Sequence, residues 1–130
     1  MTDQIPDIAI LIDDEGHSMK QQITKFEVLF QKIKNGVIYL CEDNHISYWY
    51  NCGGGLRRNG TYIEYIKNLV DVMHLWYAEK NTFIKNHTLK ENIFAIHIYD
   101  SIGVIDKKKK SKPFNSQKGI FTVGYLEEKK

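Results

Sequence analysis

Two acidic pairs and one histidine are the residues of this sequence best suited to chemistry. Asp13-Asp14 is followed three positions on by His17, and Glu42-Asp43 forms the second pair. Carboxylates gathered at one place repel one another unless something neutralises them. A divalent cation does so economically, and an all-oxygen ligand set favours Mg²⁺, Mn²⁺ or Ca²⁺ over zinc. A histidine beside a cation that holds a substrate hydroxyl is placed to take that hydroxyl's proton. A plainer reading stands beside this one: acids at strand ends cap helices and solubilise loops, and His17 is then an exposed loop residue. His45, His74, His87 and His97 have no partner visible in the sequence and read as structural or surface residues. Gly53-Gly54-Gly55 follows no strand directly and lacks the spacing of a nucleotide-binding turn, so it reads as a flexible loop.

The elements that must bring these residues together follow from hydrophobic patterning. Asp7 to Asp13 is an apolar run ending in acids, as expected of a strand covered on both faces. Ser18 to Lys34 places Ile23, Phe26, Phe30 and Ile33 at helical spacing, with Ser18 as N-cap and Asn35-Gly36 as the stop. Val37 to Cys41 is a second apolar strand, again followed by acids. Strand, helix and strand at this spacing predict a βαβ unit with a right-handed crossover. Ligands of open α/β sheets sit beyond the carboxyl ends of parallel strands, where both acidic pairs fall.

Asn44 to Gly60 is a long polar, aromatic and glycine-rich loop. A second amphipathic helix is expected from Thr61 to about Lys80, with Ile63, Ile66, Val70, Met73 and Tyr77 on its core stripe. Ile93 to Tyr99 and Ser101 to Asp106 read as strands joined by a turn around Asp100, which demands an antiparallel hairpin. A short strand near Gly119 to Val123 completes the reading. The predicted order is β-α-β-α-β-β: an α/β fold with a mixed sheet, the second half of a doubly wound, Rossmann-like domain.

Composition sets the outer bounds. The chain has 130 residues, 42% hydrophobic and 26% charged, which suits one domain with a core. A formal charge of +2 gives no general attraction to nucleic acid or membrane. Lys107 to Lys112 reads as a solvated run. The two cysteines form no disulfide framework, and Cys41 within a strand reads as a small buried hydrophobe. No signal core or membrane-length apolar run is visible, and the expected compartment is the cytoplasm.

Several stretches together carry a family resemblance. Ile12 to His17 (IDDEGH) resembles the I-D-D-G-S-H segment of a family of Mg²⁺-dependent, S-adenosylmethionine-dependent O-methyltransferases. That family includes macrolide-sugar methyltransferases and proteins labelled cephalosporin hydroxylase. The likeness continues through Gln21 to Asp43, Ser47 to Trp49 (SYW), the triple glycine, Tyr62 to Tyr77 and Ile96 to Lys107 (IHIYDSIGVIDK). The resemblance implies Asp14, Glu42 and Asp43 as metal ligands, His17 as general base, and Asp13 near the cofactor pocket. Glu15-Gly16 departs from the family's Gly-Ser, and Ile46 from its threonine. The resemblance also divides the chain into a tail (1–6), a family-like region (7–106) and a basic tail (107–130) of one domain.

The glycine-rich turn and ribose-binding acid of that family lie on strands this sequence does not carry. Independent methyl transfer is therefore not expected. Supplied with a complementary amino-terminal half, the chain is expected to take part in methyl transfer to a hydroxyl of a sugar or glycosylated small molecule. The open edge of the strand at 7–13 is the expected route to that half, or to self-association. The alternatives are a non-enzymatic half-domain acting as a binding or assembly partner, and an inactive remnant.

Overall fold

A computed structural model describes residues 10–14, 18–80 and 88–114 of the chain. Among them run β1 (Ile10–Asp13), α1 (Met19–Lys32), β2 (Ile38–Cys41), α2 (Tyr62–Met73), β3 (Ile93–Tyr99) and β4 (Ile102–Lys107). The order is the predicted β-α-β-α-β-β. β1 and β2 are parallel, with Asp13 opposite Cys41. β3 and β4 form the expected antiparallel hairpin. The sheet order is β1-β2-β4-β3, so the second hairpin strand, running antiparallel, docks on β2. Burial explains which hairpin strand lies inside: β4 alternates, with Gly103, Ile105 and Lys107 buried, whereas β3 exposes Phe94, Ile98 and Tyr99 at the edge. The strand expected near 119–123 lies outside the described residues, as do 7–9 of the first strand.

Both helices begin on side-chain caps. Ser18 Oγ accepts the Gln21 amide at 3.2 Å, and Thr61 Oγ1 accepts the Glu64 amide at 3.3 Å. In α1 the buried stripe is Met19, Gln22, Phe26 and Phe30, continued by Ile33, while Ile23 is half-buried. In α2 it is Tyr62, Ile66, Leu69 and Val72. The stripe expected there is thus rotated by about one position, and Val70 and Tyr77 face outward. The helix ends at Met73, followed by a 3₁₀ turn at Leu75–Tyr77, so the period cannot be carried to Tyr77. Tyr62 sets the rotation, because its ring is fully buried and stacks against Tyr65 at 6.2 Å.

The core lies between the two helices and one face of the sheet. Phe26 is its centre, 4.7 Å from the Phe30 ring, 5.1 Å from Tyr39 and 5.9 Å from Tyr65. Cys41 is buried, as expected. The opposite sheet face carries Ile10 and Ile12, 52% and 55% exposed, so the double coverage expected of this strand is not present among the described residues.

The lysine run departs from the solvated reading. Lys107 is buried, and its Nζ donates to the carbonyls of Phe30 at 2.7 Å, Gln31 at 3.2 Å and Ile33 at 2.7 Å. Lys110 Nζ donates to the Met73 carbonyl at 2.9 Å. The ends of both helices leave carbonyls without intrahelical partners, and a cation there also meets the negative end of the helix dipole. Two lysines of one run therefore close two helices.

Candidate functional site at the carboxyl edge of the sheet

The parallel register brings the acidic pairs together in the chain's path. Beyond the Asp13–Cys41 pair, the Glu42 amide donates to the Asp13 carbonyl at 3.0 Å. Asp14 and Glu42 therefore leave the tips of adjacent strands side by side, with Asp43 next. Asp14 and Asp43 are exposed and Glu42 is half-buried. None of their carboxylates takes part in an ion pair among the described residues. Their donor chemistry fits a hard divalent cation such as Mg²⁺. Among the described residues, however, no three His, Cys, Asp or Glu side chains converge on a common metal position. His17 lies outside the described residues.

Asp13 separates from this group. Strand side chains alternate between faces, and its pairing with Cys41 puts it on the helix-facing side. There its carboxylate is buried, with Oδ2 accepting from Tyr39 at 3.0 Å and Oδ1 from Lys25 Nζ at 3.2 Å. The four carboxylates expected at one edge are thus three outside and one inside. Burial, and then the Asp13 carboxylate, push the Tyr39 hydroxyl's pKa up, so it stays a donor. Asp13 and Asp14 also line a groove of about 410 Å³ between β1 and α1, closed by Ile12, Lys25 and Val28.

Beneath the acid pair lies a set of residues the patterning did not single out. Gln22 is 1% exposed, and its Nε2 donates to the Glu42 carbonyl at 3.2 Å. Asn44, equally buried, donates from Nδ2 to the carbonyls of Cys41 and Glu42, each at 3.3 Å. Gly103 makes room for it, since a Cβ there would meet Asn44 Oδ1 at 2.9 Å. Burial, reinforced by Asp13, raises the Cys41 thiol to about 11. Gln22 was detectable as a residue one turn before Phe26; Asn44 had no periodic signal.

The loop after β2 is more ordered than a flexible glycine segment. It carries 3₁₀ turns at Asn44–Tyr48 and Tyr50–Cys52. The amides of Gly54 and Gly55 donate to Trp49 and Ser47 carbonyls at 2.8 and 2.9 Å. A Cβ at Gly54 would run into the Ser47 carbonyl, so this position needs glycine. Three of the histidines read as partnerless have partners: His45 lies 2.6 Å from Ser101 Oγ, His74 2.7 Å from the Val70 carbonyl, and His97 3.2 Å from Asp106. His87 lies outside the described residues.

Comparison with known proteins agrees with this architecture. No protein-family model matches the chain. It is 30% identical over 96 residues to the L-olivosyl-oleandolide 3-O-methyltransferase of Streptomyces antibioticus, covering 71% of this chain and 25% of that protein. It is 27% identical over 101 residues to the mycinamicin VI 2''-O-methyltransferase of Micromonospora griseorubida, covering 75% and 25%. The MycE methyltransferase of mycinamycin biosynthesis, solved with Mg and SAH, superimposes with a TM-score of 0.69 at 26% identity. That match covers 77% of this chain and 27% of MycE. The chain thus spans about a quarter of the length of the curated relatives it matches. Over that matched segment, in sequence and in fold, the chain is similar to sugar O-methyltransferases of macrolide and polyketide pathways, one of which is solved with Mg and SAH.

Proposed function

We propose that this chain provides the metal and acceptor side of an O-methyltransferase acting on a hydroxyl of a sugar or glycosylated small molecule. The observation that carries the reading is the side-by-side exit of Asp14 and Glu42-Asp43 from parallel strands, with carboxylates in no ion pair among the described residues. In this reading Asp14, Glu42 and Asp43 would hold Mg²⁺, which would supply Lewis-acid polarisation of an acceptor oxygen. His17 would accept the acceptor hydroxyl's proton, and S-adenosylmethionine, when bound, would supply the methyl group. Asp13 belongs to the cofactor side by lining the groove beside β1, where it anchors Lys25. Cofactor contacts that this segment does not supply would come from another part of the fold lying along β1, and the working compartment is the cytoplasm.

A second reading, a half-domain that works as an assembly partner, draws on the exposed Ile10 and Ile12 beside a strand edge. Nucleic acid is not among the partners proposed, because Lys107 and Lys110 are spent on helix ends. Among the described residues no helix is long and apolar enough to cross a membrane.

Calorimetric titration with Mg²⁺ and S-adenosylmethionine, separately and together, tests the leading reading. A Mg²⁺ signal that disappears in Asp14→Ala is expected. Mg²⁺ binding that survives Asp14→Ala would move the metal away from this corner. Tight cofactor binding by this chain would place the cofactor site within the matched segment itself.

A further inference from the structure

Three side chains in the core carry polar atoms that no described residue satisfies: Gln22 Oε1, Asn44 Oδ1 and the Tyr62 hydroxyl. Gln22 and Asn44 are 1% exposed and Tyr62 not at all. A donor or acceptor buried without a partner forfeits its hydration, so such atoms are rare in folded proteins. These three share one neighbourhood. Gln22 Nε2 and Asn44 Nδ2 both donate to the Glu42 carbonyl, at 3.2 and 3.3 Å. That contact fixes which way each amide points, because turning either over would set its oxygen against the carbonyl. Gln22 Nε2 also lies 3.6 Å from Cys41 Sγ, and the Tyr62 hydroxyl faces the same thiol. Asn44 Oδ1 sits beside Gly103 and Ile66, one helical turn from Tyr62. Gly103 is in turn the sheet partner of Cys41. The unpaired atoms thus reach from α1, from the segment after β2 and from α2 toward one position of β2.

We propose that Gln22, Asn44 and Tyr62 form an internal binding site for a single ordered water. The water donates its two protons to Gln22 Oε1 and Asn44 Oδ1 and accepts the proton of the Tyr62 hydroxyl. Two acceptors and one donor are the complement of one water molecule, and a buried water makes about three such bonds. None of the three side chains carries a charge, so an ion would lie here without a counter-charge. The Cys41 thiol is a weak partner for any of them. Held this way, the water joins α1 to α2 through Asn44, directly beneath the Glu42 carbonyl. The site is closed to solvent and does not depend on whether the carboxylates outside it bind a cation.

The rival explanation is a dry cluster whose polar atoms stay unpaired. Tyr62→Phe separates the two by the sign of its effect on the thermal midpoint of the full chain. In a dry cluster it deletes a buried, unpaired hydroxyl, and the midpoint stays or rises. With the water bound it deletes one of three hydrogen bonds. The expected result is a midpoint lowered by about 2–8 °C, as for one buried hydrogen bond in a chain of this size. An unchanged or raised midpoint would overturn the site. A high-resolution crystal structure of the wild-type chain decides independently, also if Tyr62→Phe does not fold. It is expected to show a water within about 3.2 Å of Gln22 Oε1, Asn44 Oδ1 and the Tyr62 oxygen. No such water, or a Tyr62 hydroxyl bonded directly to either amide oxygen, would overturn the site whatever the midpoint.

Discussion

Cys41 illustrates how a single side chain reports on the site around it. It is buried beneath the acid pair, and burial with the nearby Asp13 raises its thiol from 9.0 to about 11. A buried, protonated thiol is a poor nucleophile. Native chain is therefore expected to take up a thiol reagent at Cys52, which is half-buried, well before Cys41, and both react after denaturation. Rapid double labelling of the native chain would contradict this packing. The same shift has a pH consequence. The folded state holds the Cys41 proton more tightly than the unfolded state, so its contribution is fully present below pH 9.0 and lost as pH rises toward about 11. Urea midpoints measured across that window should fall, and Cys41→Ser should blunt the fall.

At the scale of the element, the helix ends matter most. Lys107 reaches from β4 to three carbonyls at the end of α1, an arrangement no local capping rule would produce. Burial lowers its pKa, yet the carbonyls around it suit an ammonium. Replacing it by methionine keeps the stem and removes the donors, leaving buried acceptors unsatisfied. Lys107→Met is expected to cost about 1–3 kcal/mol, read from urea denaturation at neutral pH. A surface lysine would cost almost nothing, so no change would restore the solvated reading of the run. Helix starts, by contrast, were visible in the sequence: Ser18 and Thr61 are both N-caps because their hydroxyls reach amides three residues ahead.

For the whole molecule, the decisive feature is an α/β sheet whose described helices cover one face. Ile10 and Ile12 are half-exposed on the other, beside the edge of β1 that pairs with no strand among the described residues. Apolar surface at a strand edge favours pairing with another chain. Sedimentation is expected to show association that grows with concentration, and Ile12→Lys should suppress it. A wild-type chain that stays monomeric at every concentration would leave self-association without a basis in this edge.

Local information was enough for the element order, the N-cap at Ser18, the hairpin and the exit of Asp14 and Glu42-Asp43 from their strands. Each depends on residue type and period within a few positions, and Asp14 and Glu42-Asp43 follow their strands directly in the chain. Tertiary structure alone decided which hairpin strand joins β2, which way Asp13 faces, and how α2 is rotated about its axis. It also decided the work of Lys107, Gln22, Asn44 and Ser101. Those outcomes depend on contacts between residues far apart in sequence, such as His45 with Ser101 or Lys107 with Phe30. A hydroxyl, an amide or an ammonium has no period of its own. Its role is set by whichever unsatisfied group the folded chain brings within hydrogen-bond reach.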